Sequence, residues 1–518
     1  MCNRLREMAM KVIIDGYAWV KKEDLEPRQI GNLKRALTIQ PKSTSEFDDG
    51  LPPSIPLYAE SEDALGLPRG FYAENKKNDV VLDIRVSDGA PMGDACLSEG
   101  FTGMTTGTPR YDEQSNVATM FTEKLESQQF GGLILQAGCA FGKTITSLRI
   151  ALALGRRTLI LVHKEFFLKQ WMDRIKEFFP GARVGVCRQK KCEFKGYDFT
   201  IALVQSLASR KYDPLFYKAY GLVITDEVHR IGAQSWSPLI PQFNARYRMG
   251  LSATPRRRDG AERVFFEHIG EIAYKAKNKG TDFSVSRVNV PFELKPISRG
   301  SYFVPAAKLN SGQIESQIAK DEVSNATIVS SIKMAVDNGR KCFVVSTRTE
   351  QLWILQEKLE RWFESAPHKR TSVGWVTGSV FVTDDKGRRV QVEKKVGGRK
   401  KLVFKTRKPS QAEYDTADTC QIMLATKQMI EEGYDNQAID VVYLAMPLSD
   451  PEQTVGRGRR PCEPSVSKCA RLCPWRAGIC TGKPKLVVKD VVHTGVRRLE
   501  RKWDRRASFY RKEGVKIP

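Results

Sequence analysis

The chain has 518 residues, 41% of them hydrophobic, so it is too long for one core and too apolar to stay disordered; two to four domains are expected. Lysine and arginine total 84 against 60 acidic residues, a net charge of +24, which calls for an acidic partner, most often a nucleic-acid backbone. No apolar run approaches the roughly 20 residues that cross a bilayer, and the start MCNRLREMAMKVII lacks an apolar signal segment, so a soluble intracellular protein with reduced cysteines is expected, acting as a monomer and not at a membrane.

Residues 1–107 carry weak periodicity and many turn formers (FDDGLPPSIPLYAESED, TGMTTGTP). They predict a small α+β accessory domain closed by a Gly/Thr-rich linker, with LPRGFY as a candidate contact to duplex or branched structure. Over residues 108–285 short apolar runs (GGLILQA, RTLILVH, FTIALVQ, GLVITDE, YRMGLSAT) alternate with amphipathic stretches, the pattern of parallel strands joined by crossover helices. A second such series (KCFVVST, QIMLAT, DVVYLAM, KLVVKDVVH) fills residues 286–518. The predicted class is therefore α/β, with two tandem parallel-sheet domains behind the small N-terminal one.

The first chemical signal is LILQAGCAFGKT, residues 133–144. A buried-type strand, a small-residue loop, Gly142-Lys143-Thr144 and a helical stretch form the context in which backbone N–H groups and a helix N-terminus hold phosphates. Lys143 would reach the β- and γ-phosphates of a nucleoside triphosphate and Thr144 would coordinate Mg²⁺. The loop departs from the usual pattern in having Ala137 where a glycine stands, followed by Gly138, Cys139, Ala140 and Phe141. Alanine is small and the outer position lies farther from the phosphates, so the departure is mild. The second signal is LVITDEVH, residues 222–229: Asp226 and Glu227 at a strand's C-terminal end supply one carboxylate for the metal and one to polarise the attacking water.

Lys143-Thr144, then Asp226-Glu227-Val228-His229, then LSATP (251–255), then QTVGRGRR (453–460) occur in the order and approximate spacing of motifs I, II, III and VI of the superfamily 2 helicases. The chain resembles that family over residues 110–460 and beyond. Within it the chain is most similar to phage and large-virus DNA-remodelling helicases and excision-repair-type helicases. The resemblance implies two RecA-like domains and ATP with Mg²⁺. Gln114 would contact adenine, Asp226 would hold the metal, and Glu227 would be the catalytic base. His229, Ser252 and Thr254 would couple the nucleotide to the interdomain cleft. EEGYD resembles motif V, placing Gly433 and Asp435 near the nucleotide; Gln453, Arg457 and Arg460 match motif VI, whose arginines stabilise the transferred phosphoryl group. Lys164, Gln205 and Arg348 fall in stretches resembling the nucleic-acid contact motifs. The implied activity is ATP-dependent unwinding or remodelling of single-stranded, forked or branched DNA, with an RNA helicase and a duplex translocase that separates no strands as alternatives.

Two stretches lie beyond that resemblance. GRRVQVEKKVGGRKKLVFKTRK (387–408) alternates apolar and basic residues around Gly397-Gly398, which predicts a β-hairpin insertion at about 380–410 with one cationic face, suited to separating strands or gripping a junction. Cys462, Cys469, Cys473 and Cys480, within an insertion spanning 461–482, could converge on one structural Zn²⁺; their spacing is looser than paired C-x₂-C, and an iron–sulfur cluster or unliganded surface thiols remain the alternatives. The tail VRRLERKWDRRASFYRKEG puts Val496, Leu499, Trp503 and Ala507 on one helical face, with its basic remainder adding to the positive surface.

Overall fold

The computed structural model describes residues 10–42, 52–75, 80–93, 109–138, 141–230, 237–257, 259–276, 282–299, 302–365, 372–382, 384, 390–396, 399–431, 434, 436–459 and 483–517. The chain divides into two compact units, Met1–Asn278 and Lys279–Pro518.

The first unit opens with five strands, β1 (Met10–Ile14), β2 (Ala18–Lys21), β3 (Ala59–Glu60), β4 (Ala64–Leu67) and β5 (Val80–Ile84), in a sheet of order β3-β4-β2-β1-β5, and a helix α1 (Arg69–Asn75). Eight further strands follow: β6 (Gly131–Gln136), β7 (Thr158–Val162), β8 (Val184–Arg188), β9 (Lys191–Cys192), β10 (Phe199–Leu203), β11 (Leu222–Asp226), β12 (Tyr247–Ser252) and β13 (Ile272–Lys275). They form a sheet of order β9-β8-β10-β7-β11-β12-β6-β13, parallel throughout except for the short β8–β9 pair. All five residues of β7 are buried, because both faces of this sheet are covered. Ile160 and Val162 meet one apolar cluster together with residues of α2 (Pro109–Glu126), α3 (Lys143–Leu154) and α4 (Glu165–Phe178). Leu159 and Leu161 meet the other, which contains Val12, Ile14 and Val20 of the N-terminal sheet.

That second cluster explains why the N-terminal region is continuous with the first α/β sheet and does not form a separate core: it covers a face that parallel strands leave apolar. Buried arginines fasten it. Arg69 donates to the carbonyls of Ala245 (2.8 Å) and Arg246 (2.6 Å), and Arg248 donates to those of His268 and Gly16, both at 2.8 Å. The approach at Gly16 is close enough that a Cβ there would sit 1.6 Å from the Pro241 carbonyl oxygen, which leaves room only for glycine.

The second unit holds six parallel strands: β14 (Phe283–Pro291), β15 (Cys342–Ser346), β16 (Val373–Val376), and, after a separate hairpin β17 (Gln391–Val396) and β18 (Arg399–Phe404), β19 (Ile422–Thr426), β20 (Val441–Leu444) and β21 (Leu486–Thr494). The sheet order is β14-β21-β20-β15-β19-β16. β14 pairs with β21 along all nine residues, so the unit boundary falls before this strand, ahead of the expected position at 285/286. The two parallel sheets are the tandem RecA-like architecture that the alternating runs and motif order imply. Four helices matter below: α5 (Val204–Ser209) in the first unit, and α6 (Ser311–Lys320), α7 (Thr349–Ser365) and α8 (Glu452–Gly458) in the second.

The C-terminal helix α9 (Arg497–Lys512) buries Leu499, Trp503 and Ala507, with Val496 buried at its start. The same face also buries Arg506 and Tyr510, which the basic character of the tail disguised. Arg506 makes two 2.8 Å bonds to the Asp490 carboxylate and one of 2.7 Å to the Leu448 carbonyl, and the Tyr510 hydroxyl donates to Asp490 at 2.7 Å. Both charges are fully buried, so Arg506→Met strands Asp490 and is expected to destabilise the chain by about 3–5 kcal/mol. Denaturant unfolding checks this, and adding Asp490→Leu should recover much of the loss. Among the described residues, no helix is long and apolar enough to cross a membrane.

Candidate functional site

Three neighbouring strands end side by side. β6, β12 and β11 are adjacent and parallel, with Gln136 opposite Ser252 and Leu251 opposite Asp226, so the segments after them converge at the C-terminal edge of the sheet, where open α/β sheets bind ligands.

After β6 the chain turns into α3. Gly142 is the N-cap, with φ of 93° and no side chain capping the helix; the first N–H groups of α3 are thus left for an anion. The left-handed φ favours glycine, and so does the space, because a Cβ at Gly142 would lie 2.5 Å from Gln114 Nε2. Gln114, on α2, is buried and its amide donates to the Phe141 carbonyl. The structure therefore sets Gln114 against the backbone of the loop. Ala137 is 1% exposed and packs with Leu133 and Leu135 in the core, while its N–H donates to the Ser252 carbonyl at 2.9 Å. Its methyl group faces the core cluster, which is why alanine stands where a glycine is usual. Lys143 Nζ donates to the Ala137 carbonyl at 3.0 Å, and Thr144 is the second residue of α3.

After β11 come Asp226 and Glu227. Glu227 adopts φ of 51°, a strained conformation for a residue with a side chain. Its Oε2 is buried, 3.4 Å from His229 Nδ1 and without a hydrogen bond. His229 Nδ1 is 3.1 Å from the Ser252 hydroxyl, and that hydroxyl accepts the Thr254 N–H, also at 3.1 Å. The three residues assigned to coupling by motif are thus brought together in one chain of polar contacts. Asp226 accepts the N–H of Glu227 and the indole N–H of Trp171, both at 3.0 Å. Trp171 is invisible as a site residue in the sequence because its position on α4 belongs to an apolar stripe and its ring is in the core; only the polar tip of an otherwise buried Trp hints at a partner. Arg257 is hidden likewise: it donates to the His229 carbonyl at 2.5 Å and pairs with Asp259.

Burial, then the adjacent Glu227 charge, push the Asp226 carboxyl up to about 6, against the opposing pull of the Trp171 hydrogen bond and Lys143. A carboxyl raised in this way is neutral at low pH and must ionise before binding a cation. With Asp226 as the proposed magnesium ligand, half-saturating Mg²⁺ for hydrolysis should therefore rise about tenfold for each pH unit below about 6. Trp171→Phe removes a hydrogen bond that lowers this value, so the pH at which Mg²⁺ demand rises should move upward. Magnesium titrations of hydrolysis from pH 5 to 8 check both, and an unmoved profile in the variant would assign Trp171 to packing alone. The donor set suits magnesium, which prefers oxygen ligands and few of them from protein: the Thr144 hydroxyl and Asp226 carboxylate are hard oxygens, and the orphaned Glu227 Oε2 lies beside them in sequence.

On the same edge, Gln205 in α5 donates its amide to the His163 carbonyl, next to Lys164, the N-cap of α4. The two expected nucleic-acid contacts of the first unit thus meet at the ends of adjacent strands β7 and β10. In the second unit, Arg348 donates to the Gly312 carbonyl (2.7 Å) and pairs with Glu315 (3.3 Å); it lines an open groove of about 920 Å³ with Asn310, Gln313 and Lys320. Gln453 and Arg457 lie on α8, with Arg457 buried and one of its guanidinium nitrogens 3.4 Å from the Ile430 carbonyl. Cys139, Ala140, Gly433, Asp435, Arg460 and the four cysteines Cys462, Cys469, Cys473 and Cys480 lie outside the described residues. Among the described residues, no group of three or more His, Cys, Asp or Glu side chains is placed to hold a metal ion.

The predicted hairpin ladder is present. β17 and β18 pair antiparallel from Gln391↔Phe404 to Val396↔Arg399. In this register Lys394 is opposite Lys401 and Lys395 is opposite Lys400. The cationic positions thus gather at the turn end of the ladder; whether they make one cationic face lies outside the described side chains. The open end is rooted by an aromatic series: Trp353 of α7 lies 4.1 Å from Trp375 and 4.7 Å from Phe381, and Phe381 lies 5.3 Å from Phe404.

A family model described as "Type III restriction enzyme, res subunit" matches residues 108–257. Over 472 residues the chain is 26% identical to "Putative ATP-dependent RNA helicase L396" of Acanthamoeba polyphaga mimivirus, covering 88% of this chain and 79% of that one. It is 29% identical over 227 residues to "Probable helicase D10" of Escherichia phage T5, covering 44% of this chain and 48% of the phage protein. It is 31% identical over 188 residues to "Putative helicase 109L" of Invertebrate iridescent virus 3, covering 35% of this chain and 57% of the viral one. The chain thus spans about half the length of the latter two.

Proposed function

We propose, from the premise that this chain belongs to the superfamily 2 helicases and is related to those of phages and large viruses, that it is an ATP-driven motor that unwinds or remodels DNA. The observation that supports the chemistry is the convergence of Lys143, Asp226, Glu227, His229 and Ser252 at the ends of three adjacent parallel strands. In this reading the α3 N-terminus and Lys143 hold the triphosphate, and Thr144 and Asp226 hold its Mg²⁺. Bound magnesium would neutralise charge on the phosphate oxygens. Glu227 orients the attacking water and takes its proton, and His229 relays the state of that carboxylate to Ser252 and Thr254. Gln114, fixed on the Phe141 carbonyl, sets the loop and adjoins the nucleotide from there. Hydrolysis is proposed to require the second-unit residues Gln453, Arg457 and Arg460, with Gly433 and Asp435, so that each turnover is linked to a movement of the chain along its track.

The net charge of +24 supports a polyanionic track held through phosphates, with binding that weakens steeply as salt rises. Lys164, Gln205 and Arg348 are the proposed contacts. A second reading, with RNA as the track, is favoured by the mimivirus relative, whose name carries that nucleic acid and which aligns with most of this chain. The test is ATP hydrolysis by the full chain with single-stranded DNA, forked DNA and RNA of equal length. Stimulation by DNA above RNA is expected. Stimulation by RNA alone would move the protein to the second reading, and no stimulation by any of them would remove the motor.

A further inference from the structure

We propose that Cys187 and Cys192 form a reversible disulfide that adjusts the nucleic-acid contact at α5, a site of oxidative modification built into the β8–β9 hairpin. The two cysteines are directly opposite each other in the antiparallel ladder. The neighbouring pair Val186 and Glu193 is a hydrogen-bonded one, with the Glu193 N–H donating to the Val186 carbonyl at 3.1 Å. Pairs alternate along such a ladder, so Cys187 and Cys192 occupy the non-hydrogen-bonded position, where Cα atoms approach to about 4.5 Å. That lies inside the roughly 4.4–6.8 Å span that a disulfide bridges without moving the backbone. Both are free thiols, Cys187 fully buried and Cys192 half-buried. The neighbouring Cys192 thiol, then burial, pushes the Cys187 thiol up, while the proximity of Cys187 pulls Cys192 down. The thiol that solvent reaches is thus the more easily ionised of the two.

The chemistry needs an oxidant of the low-molecular-weight disulfide class. The Cys192 thiolate attacks one sulfur of glutathione disulfide, forming a mixed disulfide and releasing one glutathione thiolate. Cys187 then loses its proton and displaces the second glutathione, so one small disulfide becomes two thiols as the protein disulfide forms.

The hairpin is wired to the candidate contact surface. Its two-residue turn starts at Gln189, whose N–H donates to the Ser206 hydroxyl at 3.0 Å and whose carbonyl accepts the Tyr212 hydroxyl at 2.6 Å. Ser206 follows Gln205 on α5, and Arg188 pairs with Glu165 beside Lys164. A disulfide draws the two Cβ atoms together to about 3.8 Å, closer than unbonded cross-strand neighbours at about 4.5–5.5 Å, and it removes both thiol protons. With the Cα positions kept, this closer approach is taken up by the side chains and the adjoining turn, which the Gln189–Ser206 bond ties to the start of α5. This second half of the inference rests on the nucleic-acid reading above.

The experiment treats the full chain with glutathione disulfide or with reduced glutathione, then maps tryptic peptides and measures DNA and RNA affinity. The expected result is residues 184–188 linked to 192–195 in the oxidised sample only, with affinity weakened by about threefold or more. Dithiothreitol should reverse both changes, and Cys192→Ser should show neither. Mixed disulfide on Cys192 without the linked peptides would overturn the disulfide. The linked peptides with unchanged affinity would overturn the regulatory half alone. The linked peptides with no nucleic-acid binding in either state would leave the disulfide standing and count against the nucleic-acid reading.

Discussion

Glu227→Gln is expected to lower kcat for ATP hydrolysis by roughly 10²–10⁴-fold, the usual size of a missing general base, with nucleotide affinity changed by no more than about threefold. Two features single out this carboxylate. Its backbone sits at φ of 51°, a conformation that costs on the order of 1–3 kcal/mol and persists only where the surroundings enforce it. Its buried Oε2 carries no hydrogen bond within the first unit, with His229 Nδ1 at 3.4 Å. A buried, unsatisfied acceptor is costly, and the cost is recovered if a water or its proton occupies the site during turnover. Lys143→Ala should behave differently. Lys143 leans on the Ala137 carbonyl at 3.0 Å and in the proposed role exchanges that partner for phosphate, so its removal should weaken nucleotide binding and hydrolysis together. Equilibrium binding of a non-hydrolysable ATP analogue, measured beside steady-state hydrolysis, separates the two. Equal loss of binding in both variants would remove Glu227 from the chemical step and leave it as part of the binding site.

The reach of the sequence follows from how local each signal is. The strand and helix of the phosphate-binding loop are legible because β6, Gly142 and α3 are consecutive and obey one backbone logic: buried run, left-handed glycine, uncapped helix start. The Asp226-Glu227 pair is legible for the same reason. What stays hidden is carried by long-range partners. Trp171 reaches Asp226 across 55 positions and reads as core from its helical spacing. Arg506 reaches Asp490 from a helix whose composition looks like a solvated face. The N-terminal region looks independent because its turn-rich sequence conceals that Val12 and Ile14 complete the core over Leu159 and Leu161. Alternation around Gly397-Gly398 reveals the hairpin, but not its charge distribution. Alternation assigns faces, while only the register shows that the lysines cluster at the turn end.

On the proposed motor reading, replacing Lys394, Lys395, Arg399, Lys400 and Lys401 by alanine should cut strand separation by about tenfold or more while leaving nucleic-acid-stimulated hydrolysis within about twofold. The hairpin ladder stands apart from the six-stranded sheet of its own unit, so its alteration leaves that sheet intact. Its base stays anchored, since Phe381 keeps its packing against Trp353 and Phe404, and the exposed Leu402 and Phe404 remain to meet an unpaired base. The variant therefore removes charge without removing the element. Every phosphate that the hairpin no longer neutralises should flatten the slope of log affinity against log salt by about 0.7–0.9, which gives a measure independent of unwinding. If hydrolysis and unwinding fell together, the cations would be part of the general grip on the track. If the salt slope and unwinding were both unchanged, the hairpin would not touch nucleic acid, and the aromatic series beneath it would be left with a purely structural role.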